Sequence, residues 1–283
     1  MITRRQAFQL FYYSQLPLVM MAMVLTGTIS AVLFQRLQWQ PILLVGFSTY
    51  FTYSLDNLID WKKDRLHYPN IISQVIAYHR FSYFLIPASA FAVISLILSS
   101  PQDLWIGILI LGASVTMGIV RFSTYRAGNS NFANGVVNFI LNRFFISIIW
   151  TIVCVFVPIW YNENPGSLKT WRTFAYMFLL IGIFAVIWKF EKSHYHLKKK
   201  LIQMKLFPIL GVMGIIAIAL VIFDVATGVY PLFHLVTLGP PLASIAALSV
   251  IANSPILLRH KIALLTLILM FLSSLSAVLH LTV

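Results

Sequence analysis

Three aspartates at regular spacing end a hydrophobic stretch in the sequence SLDNLIDWKKDR, residues 54–65. Asp56, Asp60 and Asp64 are four residues apart, so a continuous helix would place them on one face. Successive aspartates would then lie about 6 Å apart along the helix axis. Carboxylates at that spacing suit Mg²⁺, which takes a few carboxylate ligands together with water and substrate phosphate oxygens. The pattern therefore predicts a site for a magnesium ion and a phosphorylated substrate.

A second interpretation of these acids is a solvated loop, in which Asp60 and Asp64 pair with Lys62, Lys63 or Arg65. The chain has only seven acidic residues, and three of them fall within nine positions here. Acids at the C-terminal end of a helix are also unfavourable, because the helix dipole is negative there. Both facts favour a metal or substrate site, where a cation balances the carboxylates.

A polar stripe follows in residues 121–143, which read RFSTYRAGNSNFANGVVNFILNR. Asparagines recur there at helical spacing, and Arg143 lies beside the last of them. Polar side chains inside an apolar segment face the interior of a helix bundle or a wet cavity. The alternative is that the stripe only joins helices by hydrogen bonds. Arg143 needs an anionic partner in either case, and the chain offers few. The asparagines are Asn131, Asn134, Asn138 and Asn142.

Nine apolar runs would position these side chains, and each is about the 20 residues needed to cross a bilayer. The chain is 60% hydrophobic and has a mean hydropathy of +0.88, which is typical of an all-α membrane protein and excludes a soluble domain. The connections are too short for a second domain, so residues 1–283 are predicted to form one transmembrane domain. The runs are 12–34, 41–60, 80–100, 103–121, 136–158, 172–190, 206–224, 234–253 and 262–282.

The basic residues predict the orientation of these helices. Twenty Lys and Arg face seven acids, giving a net charge of +13. With the N-terminus inside, 16 of the 20 fall in inner segments, 3 in outer loops, and Arg143 within a helix. This asymmetry follows the positive-inside rule. We therefore expect a multi-pass protein of a bacterial inner (plasma) membrane with a cytoplasmic N-terminus. The bilayer, or an anionic substrate, explains the basic excess without a nucleic-acid partner.

The stretch Asp56-Asn57-Leu-Ile-Asp60-Trp-Lys-Lys-Asp64 resembles NDxxDxxxD, the first aspartate-rich motif of the UbiA superfamily of intramembrane prenyltransferases, with the first two letters exchanged. The position of the motif at the end of the second helix and the count of nine helices also match that family. The resemblance implies Mg²⁺-dependent transfer of a prenyl group from a prenyl diphosphate to an aromatic or lipid acceptor. It implies that the three aspartates bind the metal, that Asp60 and Asp64 are catalytic, and that Asn57 and Arg65 contact the substrate.

The resemblance implies further substrate ligands from the fourth and fifth helices. Family members carry basic residues at the end of the fourth helix, and Arg121 and Arg126 match these. The polar start of the fifth helix lines the diphosphate pocket in the family, which here corresponds to Asn138, Asn142 and Arg143. Aromatic faces can line the path of the isoprenoid. The aromatic residues expected near this pocket are Tyr50, Tyr53 and Tyr125.

The chain departs from the family after the sixth helix, where a second acidic motif is expected. Residues 188–200 read WKFEKSHYHLKKK and contain no aspartate. Cleavage of a diphosphate needs charge neutralisation, so in one account Lys189 and Lys192 bind the phosphates in place of a second metal. In the other account, the protein is a catalytically inactive relative that serves as a binding or assembly subunit with a membrane-protein partner. A cytoplasmic loop that touches anionic headgroups explains the lysines under either account. A transporter is a third possibility, which the absence of a visible repeat disfavours.

Overall fold

The computed structural model describes residues 16–34, 36–67, 72–100, 103–126, 132–162, 170–179, 181, 212 and 214–230. Throughout this part of the chain the regular structure is helical and no strand occurs, which confirms the predicted all-α class. Five long helices are followed by two shorter helical segments. They are α1 (Leu16–Phe34), α2 (Trp39–His67), α3 (Ile72–Leu98), α4 (Asp103–Arg126), α5 (Phe132–Tyr161), α6 (170–179) and α7 (214–226).

The first five helices coincide with the first five apolar runs of the sequence. Their ends differ most where polar residues extend the helix: α2 continues to His67 rather than ending at residue 60. The three aspartates therefore lie on one continuous helix, as predicted, and not in a loop. α6 and α7 overlap the sixth and seventh runs, whereas the runs 234–253 and 262–282 lie outside the described residues.

Within the ranges given above, no helix combines the length and the apolar character that crossing a membrane requires. The nine transmembrane helices of the sequence interpretation therefore stay a prediction.

The described helices pack around a core that α1 occupies centrally. α1 contacts α2 and α5, while α2 also contacts α3 and α5, and α4 packs against α5. Leu25 and Ile29 of α1 and Leu44 of α2 are fully buried in this core. At Gly46, a Cβ atom would lie 2.7 Å from Cγ of Met23, so α1 and α2 approach closely because that position carries no side chain.

One end of the bundle is fixed by contacts between helix termini, and we call it the Asn162 end. The side-chain amides of Gln38 and Asn162 exchange two hydrogen bonds of 2.6 and 2.7 Å, which joins the start of α2 to the end of α5. The hydroxyl of Tyr161 donates to the carbonyl of Leu96 at 2.6 Å, which brings the end of α3 to the same place. We call the opposite end, where α2 ends, the Asp60 end.

Candidate functional site

The register between α2 and α5 places the predicted site residues along the bundle. Gln38 meets Asn162, and fifteen residues further along α2, Tyr53 accepts a hydrogen bond from Nε1 of Trp150 at 3.1 Å. The two helices therefore run antiparallel. The two contacts are about 22 Å apart along α2 and about 18 Å apart along α5. Seven residues beyond Tyr53 comes Asp60, and seven before Trp150 comes Arg143, both on continuous helix. Asp60 and Arg143 thus occupy the same level of the bundle.

The register between α2 and α4 adds the predicted arginines to that level. α4 begins at the Asn162 end and runs parallel to α2, with Thr52 Oγ1 and Ser114 Oγ 3.4 Å apart. Twelve residues beyond this pair, α2 reaches Asp64 and α4 reaches Arg126. By the same count Arg121 falls within one residue of the level of Asp60.

We call the levels of Asp60 and Asp64 together the polar layer. The helix backbones bring ten of the twelve predicted site residues to this end of the bundle, from three helices widely separated in sequence. Lys189 and Lys192 lie outside the described residues. The ten are Asp56, Asn57, Asp60, Asp64 and Arg65 on α2, Arg121 and Arg126 on α4, and Asn138, Asn142 and Arg143 on α5.

The residue types in the polar layer suit Mg²⁺, but the positions of their side-chain oxygens are not described. Among the side chains that the structure describes, no group of three or more His, Cys, Asp or Glu residues could hold a metal. The side chains of Asp56, Asp60 and Asp64 are not among them, so their role as ligands stays a prediction. The continuous helix does give these residues the one-turn spacing that suits carboxylate ligands of Mg²⁺.

A cleft opens between α2, α4 and α5, with its nearest wall about 10 Å along α2 from Asp60. Its empty space, including the open mouth, is about 430 Å³. It is lined by Val45, Ser48, Thr49, Thr52, Tyr53, Ile110, Ala113, Ser114, Ile149, Trp150, Val153 and Cys154. The lining is mostly apolar, with hydroxyls from Ser48, Thr49, Thr52 and Ser114 and no charged residue. Tyr53, one turn before Asp56, lies at the cleft wall. A neutral, largely apolar ligand with a hydroxyl or carbonyl group suits such a lining.

Aromatic contacts give the wall of this cleft a defined shape. The rings of Tyr53 and Trp150 meet edge to face with centroids 6.0 Å apart, in addition to their hydrogen bond. The sequence prediction that Tyr53 lies near the pocket is therefore consistent with its place in the cleft. Tyr50 is buried one turn away, and Tyr125 lies near the end of α4, level with the polar layer.

A buried polar cluster at the Asn162 end was missed by the sequence interpretation. Asp224 of α7 accepts hydrogen bonds from the Arg172 guanidinium and from the Tyr176 hydroxyl, both on α6. The Asp224 side chain is 5% exposed and that of Arg172 is 32% exposed. Beside them, the hydroxyls of Thr173 and Tyr230 are 2.8 Å apart. This cluster joins α6 to α7 and to the turn that follows it.

Burial and hydrogen bonding in this cluster affect the ionisation of Tyr230. The pKa of Tyr230 is raised, because burial disfavours the phenolate more than the hydrogen bond to Thr173 stabilises it. Gly228, in the turn that brings Tyr230 back to the cluster, has a positive φ of 74° that favours glycine. The only sequence signals of the cluster are an aspartate that ends the apolar run 206–224 and an arginine that opens the run 172–190, and neither specifies its partner.

Comparison of the chain with protein-family models, with curated proteins and with solved structures found no match. The resemblance to the UbiA superfamily therefore rests on the motif at residues 56–64 and on the predicted topology.

Proposed function

We propose that the protein is a UbiA-like intramembrane prenyltransferase that moves a prenyl group from a prenyl diphosphate to an aromatic or lipid acceptor. The observation that carries this proposal is the polar layer. The positive-inside rule explains basic residues such as Arg121 and Arg126 at this end of the bundle. It explains neither the three aspartates on one face of α2 nor Arg143 within a helix. A site for an anionic substrate held through a metal and arginines accounts for both.

The charges of the polar layer match a magnesium diphosphate. Mg²⁺ balances the two carboxylates of Asp60 and Asp64, and Lys62, Lys63 and Arg65 at the same end of α2 offset the third carboxylate, that of Asp56. The three arginines of α4 and α5 then remain to balance a diphosphate, which carries about three negative charges. Without a bound anion the layer has an excess of positive charge, which is costly at the edge of an apolar bundle.

Each group of the layer has a role in this proposal. Mg²⁺, when bound by the aspartates, neutralises charge that develops on the departing diphosphate. Arg121, Arg126 and Arg143 bind the diphosphate oxygens, which arginine can do in bidentate fashion. The amides of Asn57, Asn138 and Asn142 donate hydrogen bonds at the rim of the site. Lys189 and Lys192 supply further positive charge in place of a second metal.

The cleft between α2, α4 and α5 supports the transfer step. The bond between the prenyl carbon and the diphosphate oxygen breaks, and diphosphate leaves with the electron pair. The acceptor then contributes the pair for the new bond and releases a proton. The apolar lining beside Tyr53 and Trp150 suits the prenyl chain, and exclusion of water there favours transfer over hydrolysis.

The membrane location rests on the apolar runs of the sequence, which extend beyond the described residues, and on exposed apolar side chains. Phe84, Phe91 and Leu98 of α3 are each at least 70% exposed. Such surface is unfavourable in water and suits lipid chains. The charge asymmetry of the sequence supports an integral membrane protein of a bacterial inner membrane, with the N-terminus and the Asp60 end on the cytoplasmic side.

The test is binding of geranylgeranyl diphosphate to the purified protein in detergent, with and without Mg²⁺. We expect Mg²⁺-dependent binding in the wild type and a loss of about 100-fold or more in Asp60→Asn, which removes a charged metal ligand. Asp103→Asn is the matched control, because it makes the same charge change at an exposed site on the first turn of α4. Its binding should equal that of the wild type.

Binding that is indifferent to Mg²⁺ and to Asp60 would contradict the proposed site. Binding that is intact in Asp103→Asn and lost in Asp60→Asn would direct the search to acceptors, with release of diphosphate as the assay. Equal losses in the two aspartate variants would show a general effect of charge on the protein and would also count against the site.

A second candidate is a catalytically inactive UbiA-like protein that acts as a binding or assembly subunit of a membrane complex. The observation in its favour is the absence of aspartate from residues 188–200, where the family has its second acidic motif. This candidate predicts no turnover with any prenyl donor and stable co-purification with another membrane protein. Diphosphate release in the presence of an acceptor would exclude it.

A further inference from the structure

Among the tryptophan side chains that the structure describes, three are strongly exposed, and these three lie at the Asn162 end of the bundle. Trp39 opens α2, Trp105 opens α4, and Trp171 opens α6, with exposed fractions of 66%, 58% and 59%. Trp39 follows Gln38, which bonds to Asn162, and the Trp171 ring contacts Phe156 of α5 with centroids 6.2 Å apart. Three separate helices thus present the same side chain within a band about 10 Å deep along the bundle axis.

The surroundings of these tryptophans change sharply along the bundle axis. Beyond them, at the helix ends, lie the charged or amide groups of Arg36, Asp103 and Asn162. Towards the other end, the exposed face of α4 is apolar at Ile108 and at the positions one and two turns further, Leu111 and Val115. Indole combines an apolar ring with one N–H donor, so it is most stable where hydrocarbon meets polar headgroups.

We propose that Trp39, Trp105 and Trp171 form an interfacial belt that contacts the phospholipid headgroup region of one leaflet. The inference rests on the membrane location in the proposed function, and not on prenyl transfer. The occupant is lipid rather than a protein partner, because the three indoles come from separate helices within one band of the bundle. Polar groups bound this band on one side and exposed apolar residues bound it on the other.

The length of α2 agrees with this placement. Trp61 follows Trp39 by 22 residues on the same continuous helix, which is about 33 Å along the axis. The hydrocarbon core of a bilayer is about 30 Å thick. With the belt in one interface, the level of Trp61 and of Asp60 beside it falls at the other. The belt thereby sets the polar layer at the boundary where a lipid-linked diphosphate meets water.

Depth-dependent fluorescence quenching tests this belt. The full-length protein is reconstituted in vesicles of phosphatidylcholine and phosphatidylglycerol that carry a nitroxide either near the headgroup or at the end of an acyl chain. The variants are Trp39→Phe, Trp105→Phe and Trp171→Phe, which each remove one emitter and keep an aromatic ring. Trp150→Phe is the matched control, because Trp150 is 8% exposed and lies in the cleft wall.

We expect each belt variant to lose about twofold more of the shallow-nitroxide quenching than of the deep-nitroxide quenching. Trp150→Phe should leave the shallow quenching unchanged. Equal losses of quenching with the two nitroxides would overturn the belt. So would tryptophan emission that neither lipid label quenches but that aqueous iodide quenches fully. If Trp39→Phe does not reconstitute, Trp39→Tyr gives the same readout with a side chain that also favours interfaces.

The same vesicles separate failure of the belt from failure of the proposed function. Shallow quenching with no binding of geranylgeranyl diphosphate would support the belt and count against the prenyltransferase. Mg²⁺-dependent binding without shallow quenching would overturn the belt alone. Protein that does not sediment with the vesicles would overturn both the belt and the membrane location.

Discussion

At the Asn162 end of the bundle, Asp224 has its ionic partner Arg172 and its hydrogen-bond partner Tyr176 within the protein. At the Asp60 end, three aspartates share one face of α2, and arginines reach their level from α4 and α5. In the first arrangement, one acid, one base and neutral donors satisfy one another between the neighbouring helices α6 and α7. The second concentrates like charges on a single helix, which is unfavourable unless a cation is bound.

The difference separates charge used for stability from charge kept for a ligand. A buried pair such as Arg172–Asp224 contributes structural specificity, and its loss destabilises the fold. Aspartates one turn apart at a helix C-terminus contribute nothing to stability by themselves. Substitutions at the Asn162 end should therefore change the free energy of unfolding, and substitutions at the Asp60 end should change ligand binding.

The largest effect on stability is expected for Arg172→Ala. It leaves the carboxylate of Asp224 buried and without a cation, at an expected cost of about 3 kcal/mol in the free energy of unfolding. Asp224→Asn should cost less, because Arg172 is 32% exposed and can be hydrated when its partner is neutral. Thermal unfolding in detergent measures both. The opposite order, or no effect of either variant, would contradict a stabilising role for the pair.

The next effect concerns binding at the other end. Arg121→Gln and Arg126→Gln should each weaken binding of geranylgeranyl diphosphate about tenfold, because each removes a charge-assisted hydrogen bond worth about 1.5 kcal/mol. Their unfolding temperatures should stay at the wild-type value. Arg36→Gln is the matched control, since Arg36 is an exposed arginine at the Asn162 end. An equal loss of binding in this control would remove the distinction between the ends.

A smaller loss of stability is expected for Asn162→Ala. Asn162 exchanges hydrogen bonds with Gln38, accepts one from Arg36 and donates one to the carbonyl of Pro158 at 2.7 Å. The half-buried position suggests a cost of about 1 kcal/mol, with no change in ligand binding. Thr227→Ala serves for comparison, because its hydroxyl is exposed and bonds only within its own turn. A cost as large in Thr227→Ala would show that the bridge between α2 and α5 is unimportant.

The smallest effect is a loss of stability at alkaline pH. The raised pKa of Tyr230 means that the folded protein holds this proton more tightly than the unfolded chain, where the pKa of tyrosine is about 10. Stability from this group is therefore complete below about pH 10 and is lost as the pH rises through the folded-state pKa. Unfolding temperatures measured across this range should fall less steeply in Tyr230→Phe than in the wild type. Parallel slopes would contradict the assignment.

The positions of α1 to α5 were predictable because each helix overlaps one of the apolar runs of the sequence. The continuation of α2 through Asp64 was predictable from the four-residue spacing of its acids. The ends of the helices were not, since polar residues such as those at 61–67 extend a helix without adding to its hydrophobic run. The Arg172–Asp224 pair was also missed, because its members are 52 residues apart and nothing in either local sequence specifies the other.

The sequence by itself determined the all-helical class, the shared face of Asp56, Asp60 and Asp64, and the excess of basic residues, because periodicity and composition are local properties. The tertiary structure decided which levels of different helices coincide. The pairing of Gln38 with Asn162 and of Thr52 with Ser114 sets those levels, and so places the backbone of Arg143 level with that of Asp60, and Arg126 level with Asp64. Such a register depends on side-chain packing between helices, which no single segment of the chain encodes.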